Sequence, residues 1–416
     1  MFFKSLLSII PIFIIGFTSP RCRAAELTLS AAIAEALAHN PEMLSLEAGV
    51  AGAKGGVTTA RTFANPELSI APGIKHTSDS GASKSEFHGN FELSQLFQFP
   101  GKRALKIAIA EKSVAVQQLA LEGFRFVLSA KVRRAFYDML AAQKIVGLRN
   151  EQVGSAKTFV QSATKRAESG YASDFETVKS QAELITAERA LLESKAKVVN
   201  ARVTLNTLLG RSPAALLAVA GSLDTVAIRP SSREEFVALA MARNPSLRTL
   251  GVQAETAGLT LRATRFGRRP DFAIGPQVEY TPNEQIYGVG VTVALPFWDL
   301  KKGEIQTATA EQRKALAEIE KTRLEITGAV TKSAESLEFA RSQLALYTPA
   351  FLDKLKAFVA QAEQSYAQSA TTLIIYLDAK RTYFDTLANY YESLGGVAAQ
   401  RAELESAVGV PLDLKP

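Results

Sequence analysis

Two stretches of the chain alternate between apolar and polar positions. In residues 67–75, Leu68, Ile70, Pro72 and Ile74 fall on one face, and Glu67, Ser69, Gly73 and Lys75 on the other. After the polar segment HTSDSGASKSE, Phe87, Gly89, Phe91, Leu93 and Phe97 alternate with His88, Asn90, Glu92, Ser94 and Gln98. Far downstream Phe272, Ile274, Val278 and Tyr280 oppose Asp271, Gln277 and Glu279. TPNEQ then turns the chain, and Tyr287, Val289, Val291, Val293 and Leu295 alternate with Gly288, Gly290, Thr292 and Ala294. A period of two predicts a strand hairpin over about 66–99 and another over about 270–297. Strands of about 10 residues cross a bilayer when tilted. A hairpin packed on a soluble core shows the same alternation, but it needs further strands or hydrophobic helices to pack on, and none are evident.

The rest of the chain repeats at helical spacing. Ser30 is placed to cap a short helix over 31–39, and Asn40 to cap a second one with Pro41 in its first turn, where the missing N–H costs nothing. That second helix stops before Pro66. From Lys102 to about Ser169, Val116, Leu119, Gly123, Val127, Ala130, Tyr137, Ala141 and Leu148 recur by threes and fours, which predicts one helix of about 100 Å. A partner follows from Asp174 to Leu209, ended by Gly210. The later half predicts an unbroken helix from Gly303 to about Gln368 and another from Thr371 to Val408.

These parallels reflect an internal duplication. At an offset of 204, Ala34, Asn40, Pro41, Leu46, Arg61, Pro66, Ile70 and Pro72 meet identical residues at Ala238, Asn244, Pro245, Leu250, Arg265, Pro270, Ile274 and Pro276. The organisation expected is therefore a leader (1–24), a first repeat (25–210) with a helical hairpin at about 102–209, a linker (211–232) and a second repeat (233–416) with a helical hairpin at about 303–408. Asn40-Pro41 and Asn244-Pro245 are the matching hinges.

Composition changes the picture at three points. Residues 1–24 carry Lys4, an apolar run from Leu6 to Phe17 and small residues near Ala24, the layout of an export signal. Cys22 is the single cysteine among 416 residues, so no internal disulfide is available, and Ser19, Pro20 and Arg21 before it argue against lipidation. A formal net charge of +7 is too mild to point to nucleic acid. Three histidines, His39, His76 and His88, have no metal-ligand spacing, and no phosphate loop is present. No cofactor, metal or catalytic set is expected, and the chain does not read as an enzyme. His76 and His88 flank the first hairpin loop and can be read as a metal pair or as solvated loop residues.

Four amphipathic strands cannot close a barrel, and open edges in lipid leave backbone groups without partners. Two copies give a barrel filled by its own side chains, whereas three give twelve strands and room for a lumen. The fold expected is thus mainly α with a small β part: four strands per protomer in a shared 12-stranded β-barrel, leading into a tube of long coiled-coil helical hairpins.

At NPELS (65–69), LSQLFQFPGKRALKIAIAE (93–111), AFYDMLAAQ (135–143) and LNTLLG (205–210) the chain resembles the TolC-type outer membrane efflux proteins. Within them it is most similar to the outer-membrane component of cobalt-zinc-cadmium RND efflux systems. The resemblance implies a homotrimer in the outer membrane of a Gram-negative cell, with a 12-stranded outer-membrane β-barrel and a periplasmic α-barrel of coiled-coil hairpins extending far into the periplasm. It also implies a periplasmic adaptor (a membrane fusion protein) and an inner-membrane RND transporter as partners, and heavy-metal cations as cargo. Drugs or secreted polypeptides through the same duct, and a periplasmic coiled-coil adaptor, are the competing readings. Segments 166–184 and 365–383 are similar to the tips that close the tunnel: Gly170 and Glu176 match the turn glycine and its following acid, while Ser369 replaces the second glycine. Asp378 falls where the family can carry an inward acid at the aperture, with Ile375 where a companion acid would stand. The alternative for Asp378 is a surface pair with Lys380 or Arg381.

Overall fold

The computed structural model describes residues 26–79, 82–169, 173–223 and 232–412. The leader, Cys22 and part of the linker lie outside them. The first half runs α1 (Leu29–His39), α2 (Pro41–Arg61), β1 (Glu67–Asp79), β2 (Ala82–Phe97), α3 (Lys102–Glu168) and α4 (Asp174–Leu209). The second repeats the order with α5 (Arg233–Arg243), α6 (Pro245–Phe266), β3 (Phe272–Thr281), β4 (Glu284–Val293), α7 (Lys302–Ala345), α8 (Pro349–Ala367) and α9 (Leu373–Val408).

Three expectations need correction. The helix expected over 303–368 is broken: Thr348 caps α8 through its side chain, accepting from Phe351 N–H at 3.2 Å, and Pro349 stands in its first turn. Proline has no N–H to continue α7, so the chain restarts there. The cap of α1 is Thr28 rather than Ser30, which lies inside the helix. The polar segment after Lys75 is mostly strand, because β1 and β2 stay paired from Glu67↔Ser94 to Asp79↔Ala82. Ladder bonds are made by the backbone and propagate through polar side chains.

α3 is the spine. Its predicted stripe from Val116 to Leu148 is buried or half-buried throughout, yet the fully covered column is the adjacent one, through Leu128, Val132, Phe136 and Met139. The shift arises because α3 is flanked by α4 and α2 on one side and by α9 and α6 on the other. α4 covers the stretch far from the strands, ending with Leu205 and Leu209 against Leu128 and Val132. α2 covers the remainder, with Glu47 paired to Arg125 at 3.3 Å and Arg61 to Glu111 at 2.8 Å.

The two flanking helices meet at the Asn-Pro hinge. Asn40 Oδ1 accepts from Glu42 N–H at 2.9 Å, capping α2, while its Nδ2 donates to the Leu208 carbonyl at the end of α4 at 3.0 Å. Asn244 does the same between α6 and α9, accepting from Ser246 N–H at 2.9 Å and donating to Ala407 at 3.2 Å. The arriving helices end in left-handed glycines, Gly210 (φ 73°) and Gly409 (φ 82°). A Cβ on Gly210 would lie 2.4 Å from the His39 carbonyl oxygen, so close approach also demands glycine there. Nearby, Glu405 of α9, 2 % exposed, holds Arg401 at 3.2 Å and Arg133 of α3 at 3.4 Å.

The strands form one antiparallel sheet in the order β1-β2-β3-β4. Its register aligns apolar rows such as Ile70, Phe91, Val278 and Tyr287, and polar rows such as Ser69, Glu92, Gln277 and Gly288. The apolar face is open to the surroundings, with Ile74 68 %, Tyr287 73 % and Val289 71 % exposed. β1 and β4 are each paired on one side only. No described helix is long and apolar enough to cross a membrane.

Asn40→Asp keeps the α2 cap and removes the donor to Leu208, so it should cost about 1–3 kcal/mol. Asn40→Ala loses the cap as well, adding about 1 kcal/mol. Thermal unfolding of the detergent-solubilised protein should rank wild type above Asn40→Asp above Asn40→Ala; identical midpoints for the first two would remove the bridging role.

Candidate functional site

The ends of the helices farthest from the sheet carry the residues singled out for an aperture. Gly170 lies outside the described residues. Ser369 takes φ 56°, the left-handed conformation that a glycine would adopt, and its N–H donates to the Tyr366 carbonyl at 3.0 Å while Ala370 N–H donates to Ser365 at 2.8 Å. The turn geometry survives the substitution at the cost of backbone strain.

Glu176, in the first turn of α4, reaches across to the second hairpin: its Oε2 accepts from the Tyr366 hydroxyl at 3.3 Å. Tyr366 stacks on Tyr376 of α9 with centroids 5.0 Å apart and planes within 7°, and Phe159 of α3 packs on both, at 5.7 and 5.4 Å. Arg166 lies over the Tyr366 ring at 5.6 Å and Lys380 over the Tyr376 ring at 5.0 Å. Burial pushes both phenols above the ordinary tyrosine range, and the carboxylates of Glu176 beside Tyr366 and Glu363 beside Tyr376 push the same way. Both hydroxyls therefore stay protonated and available as donors. Sequence reading missed this cluster. Its only trace there is an aromatic on each side of the second turn, Tyr366 and Tyr376, and nothing pairs them with Phe159.

Asp378 is exposed and forms no ion pair among the described residues. The neighbours suggested for it are taken elsewhere: Lys380 bonds Ser155 and pairs with Glu363 at 3.3 Å, and Arg381 pairs with Asp385 at 3.8 Å. The surface-pair alternative is thus corrected. Ile375 beside it is 53 % exposed.

The histidines do not come together. His76 is opposite Ser85 and hydrogen-bonds its Oγ at 2.7 Å, whereas His88 is opposite Gly73 and its Nδ1 lies 3.7 Å from Glu279. Gly73 and His76 are three apart, so the two imidazoles point to opposite faces of the sheet. His39 Nδ1 meets the Glu35 carbonyl at 3.2 Å. Among the described residues no group of three or more His, Cys, Asp or Glu could hold a metal ion.

The FPGKR stretch is a joint between strand and helix. Asp271 accepts from Phe99 N–H at 2.7 Å and from Lys102 Nζ at 2.9 Å, binding the start of α3 to the start of β3. Burial raises this carboxyl's pKa, and the Lys102 and Phe99 donors together outweigh it, leaving it below the usual carboxylate range. The left-handed Gly101 (φ 95°) that begins α3 is matched by left-handed Lys301 (φ 52°) at the start of α7.

With an edge-open sheet at one end and a closed aromatic knot at the other, the chain can be set beside known proteins. The family described as "Outer membrane efflux protein" matches residues 32–211 and 237–410, one match to each half. The chain belongs to the outer membrane efflux protein family. Among relatives, the cobalt-zinc-cadmium resistance protein CzcC of Cupriavidus metallidurans is 24% identical over 404 residues, covering 97% of this chain and 93% of the relative. The nickel and cobalt resistance protein CnrC of the same organism is 22% identical over 294 residues, covering 70% of this chain and 69% of the relative. Solved structures share the fold of this efflux protein. CusC superposes with a TM-score of 0.75 at 14% identity over 93% of each chain. The Campylobacter jejuni CmeC outer membrane channel gives 0.76 at 14% identity over 92% of this chain and 85% of that one.

Ser369→Gly should relieve about 1 kcal/mol of backbone strain. Hydrogen exchange over residues 366–372 should slow roughly fivefold in that variant, while Ser369→Ala, which keeps a Cβ, should leave the rate near wild type.

Proposed function

We propose that three copies of this chain form the outer-membrane exit duct of a tripartite efflux pump carrying heavy-metal cations of the cobalt, zinc and cadmium class. The observation that carries the reading is the sheet: one apolar, exposed face across all four strands, and two edge strands, β1 and β4, that pair with no further strand among the described residues. In lipid those edges demand strands from further copies, and three copies give a twelve-stranded barrel with room for a lumen. The polar face then lines the lumen, with Glu92, Asn90 and Gln277 on it. The cation cargo is supported by the metal-resistance names of CzcC and CnrC.

Metal resistance then needs no ligand set in the duct, because an inner-membrane RND transporter selects the ion and a periplasmic adaptor hands it on. The adaptor meets the helical tips, where Phe175, Val178, Ile374 and Ile375 are all more than half exposed; clustered exposed apolar side chains favour a protein contact. Asp378, exposed and unpaired near the same tips, places a carboxylate ring at the aperture once per protomer and favours cations over anions.

A deletion strain should grow poorly on at least one of graded zinc, cobalt, cadmium, nickel or copper, and normally on a drug panel. Sensitivity confined to drugs would overturn the cargo. In planar bilayers Asp378→Asn should lower the cation-to-anion permeability ratio toward one; an unchanged ratio would overturn the aperture role.

A further inference from the structure

We propose that a groove at the junction of strands and helices binds the phosphate of an anionic phospholipid, one per protomer. The groove, of about 410 Å³, lies where α2 and β2 end and α3 begins. Arg103 and Lys106 supply two cations, Thr62 and Asn65 supply polar groups, and Phe63 and Phe97 supply apolar walls, with no carboxylate among its described lining.

Among the described residues no carboxylate pairs with either cation. The Arg103 guanidinium lies over the Phe63 ring at 3.7 Å and donates to the Arg61 carbonyl, while its Nε is buried without a hydrogen-bond partner. Lys106 is exposed and makes no ion pair among the described residues. The nearby carboxylate of Glu111 is occupied by Arg61 at 2.8 Å. Two cations lining one groove with no carboxylate among its described lining suit an oxyanion, arginine contributing directed donors and lysine a point charge.

The surroundings identify which phosphate. Phe97 is the last residue of β2, lies on the apolar face and stacks on Phe272 at 5.6 Å. The groove thus opens where the apolar face stops. At the same end of the sheet Phe297 and Trp298, just past β4, are 71 % and 94 % exposed. Cations above an apolar wall, flanked by exposed aromatics, reproduce the layering of headgroup and acyl chain at a membrane boundary. Because the helices leave the membrane on this side, the ligand is a phospholipid of the periplasmic leaflet. The inference rests on the reading that the apolar face meets lipid.

Native mass spectrometry of the detergent-extracted protein, titrated with phosphatidylglycerol or phosphatidylcholine of equal chain length, tests it. Phosphatidylglycerol should bind roughly 30-fold more tightly, about 1 kcal/mol for each of two cations. The preference should fall to about fivefold in K106Q, fall below about threefold in R103Q/K106Q, and persist in R103K/K106R. Equal affinity for the two lipids in the wild type, or an unchanged preference in K106Q, would overturn the groove. Trp298 is the single tryptophan of the chain, so its quenching by brominated phospholipid in vesicles reads membrane contact separately. No quenching by any brominated lipid would sink the membrane reading and the groove with it, whereas quenching with equal affinities sinks the groove alone.

Discussion

A helix that stops within a packed wall exposes its last carbonyls to neighbours that cannot answer them, and the helix that continues the wall begins with N–H groups in the same difficulty. This chain meets both needs with one side chain. Asn40 has an acceptor for α2 and a donor for α4, and Asn244 repeats the arrangement for α6 and α9. Few residues can do so: serine and aspartate cap but do not reach out with an amide, and glutamine is a poorer cap. Proline after each asparagine fixes the first turn, and glycine at each arriving end allows the close approach. α3 can therefore be flanked along nearly its whole 67-residue length by two shorter helices that behave as one, which allows a duct roughly 100 Å long to be built from elements of ordinary size.

The sheet answers the same requirement differently. Its inner pairs are satisfied within the chain, but β1 and β4 leave a row of donors and acceptors each. A soluble protein blunts such edges with charge or covers them with a helix; here the edge strands carry Leu68, Ile70 and Ile74 on one side and Val289 and Val291 on the other, all exposed. Such edges and such a face are satisfied where the face meets lipid and the edges meet more strand, which is the physical ground on which the proposed trimer rests.

What sequence reading captured is local and periodic. Alternation placed all four strands, glycine and proline placed most helix ends, and the register of the duplication picked out both asparagines as hinges. It did not find that the asparagines also bond Leu208 and Ala407, since nothing at positions 39–46 encodes a partner about 165 residues away. Pro349 was in plain view, yet strong helical spacing on both sides of it masked the break. Of the residues proposed for the aperture, Glu176 lies in the first turn of α4 and Asp378 near the start of α9, but the knot of Phe159, Tyr366 and Tyr376 beside them depends on three helices meeting. The alternative of a surface pair between Asp378 and Lys380 or Arg381 is not formed among the described residues, because Lys380 meets Glu363 and Ser155 and Arg381 meets Asp385 instead, a competition decided by packing rather than spacing.

The two halves share a backbone plan but not its cost. At the start of α3 the left-handed residue is Gly101, while at the matching start of α7 it is Lys301; at the second tip it is Ser369. A side chain in that conformation costs about 1–2 kcal/mol that glycine does not, so the second repeat holds strained residues at both ends of its long hairpin. It also carries the break between α7 and α8, where a capped restart replaces continuous helix. α3 runs unbroken for its whole length, whereas residues 346–348 separate α7 from α8. The tip of the second hairpin is joined to the first through Tyr366 with Glu176, Tyr376 with Phe159 and Lys380 with Ser155, among other contacts. The two repeats thus follow one plan, but the second carries non-glycine residues in left-handed conformation at both ends of its hairpin and a capped break within it.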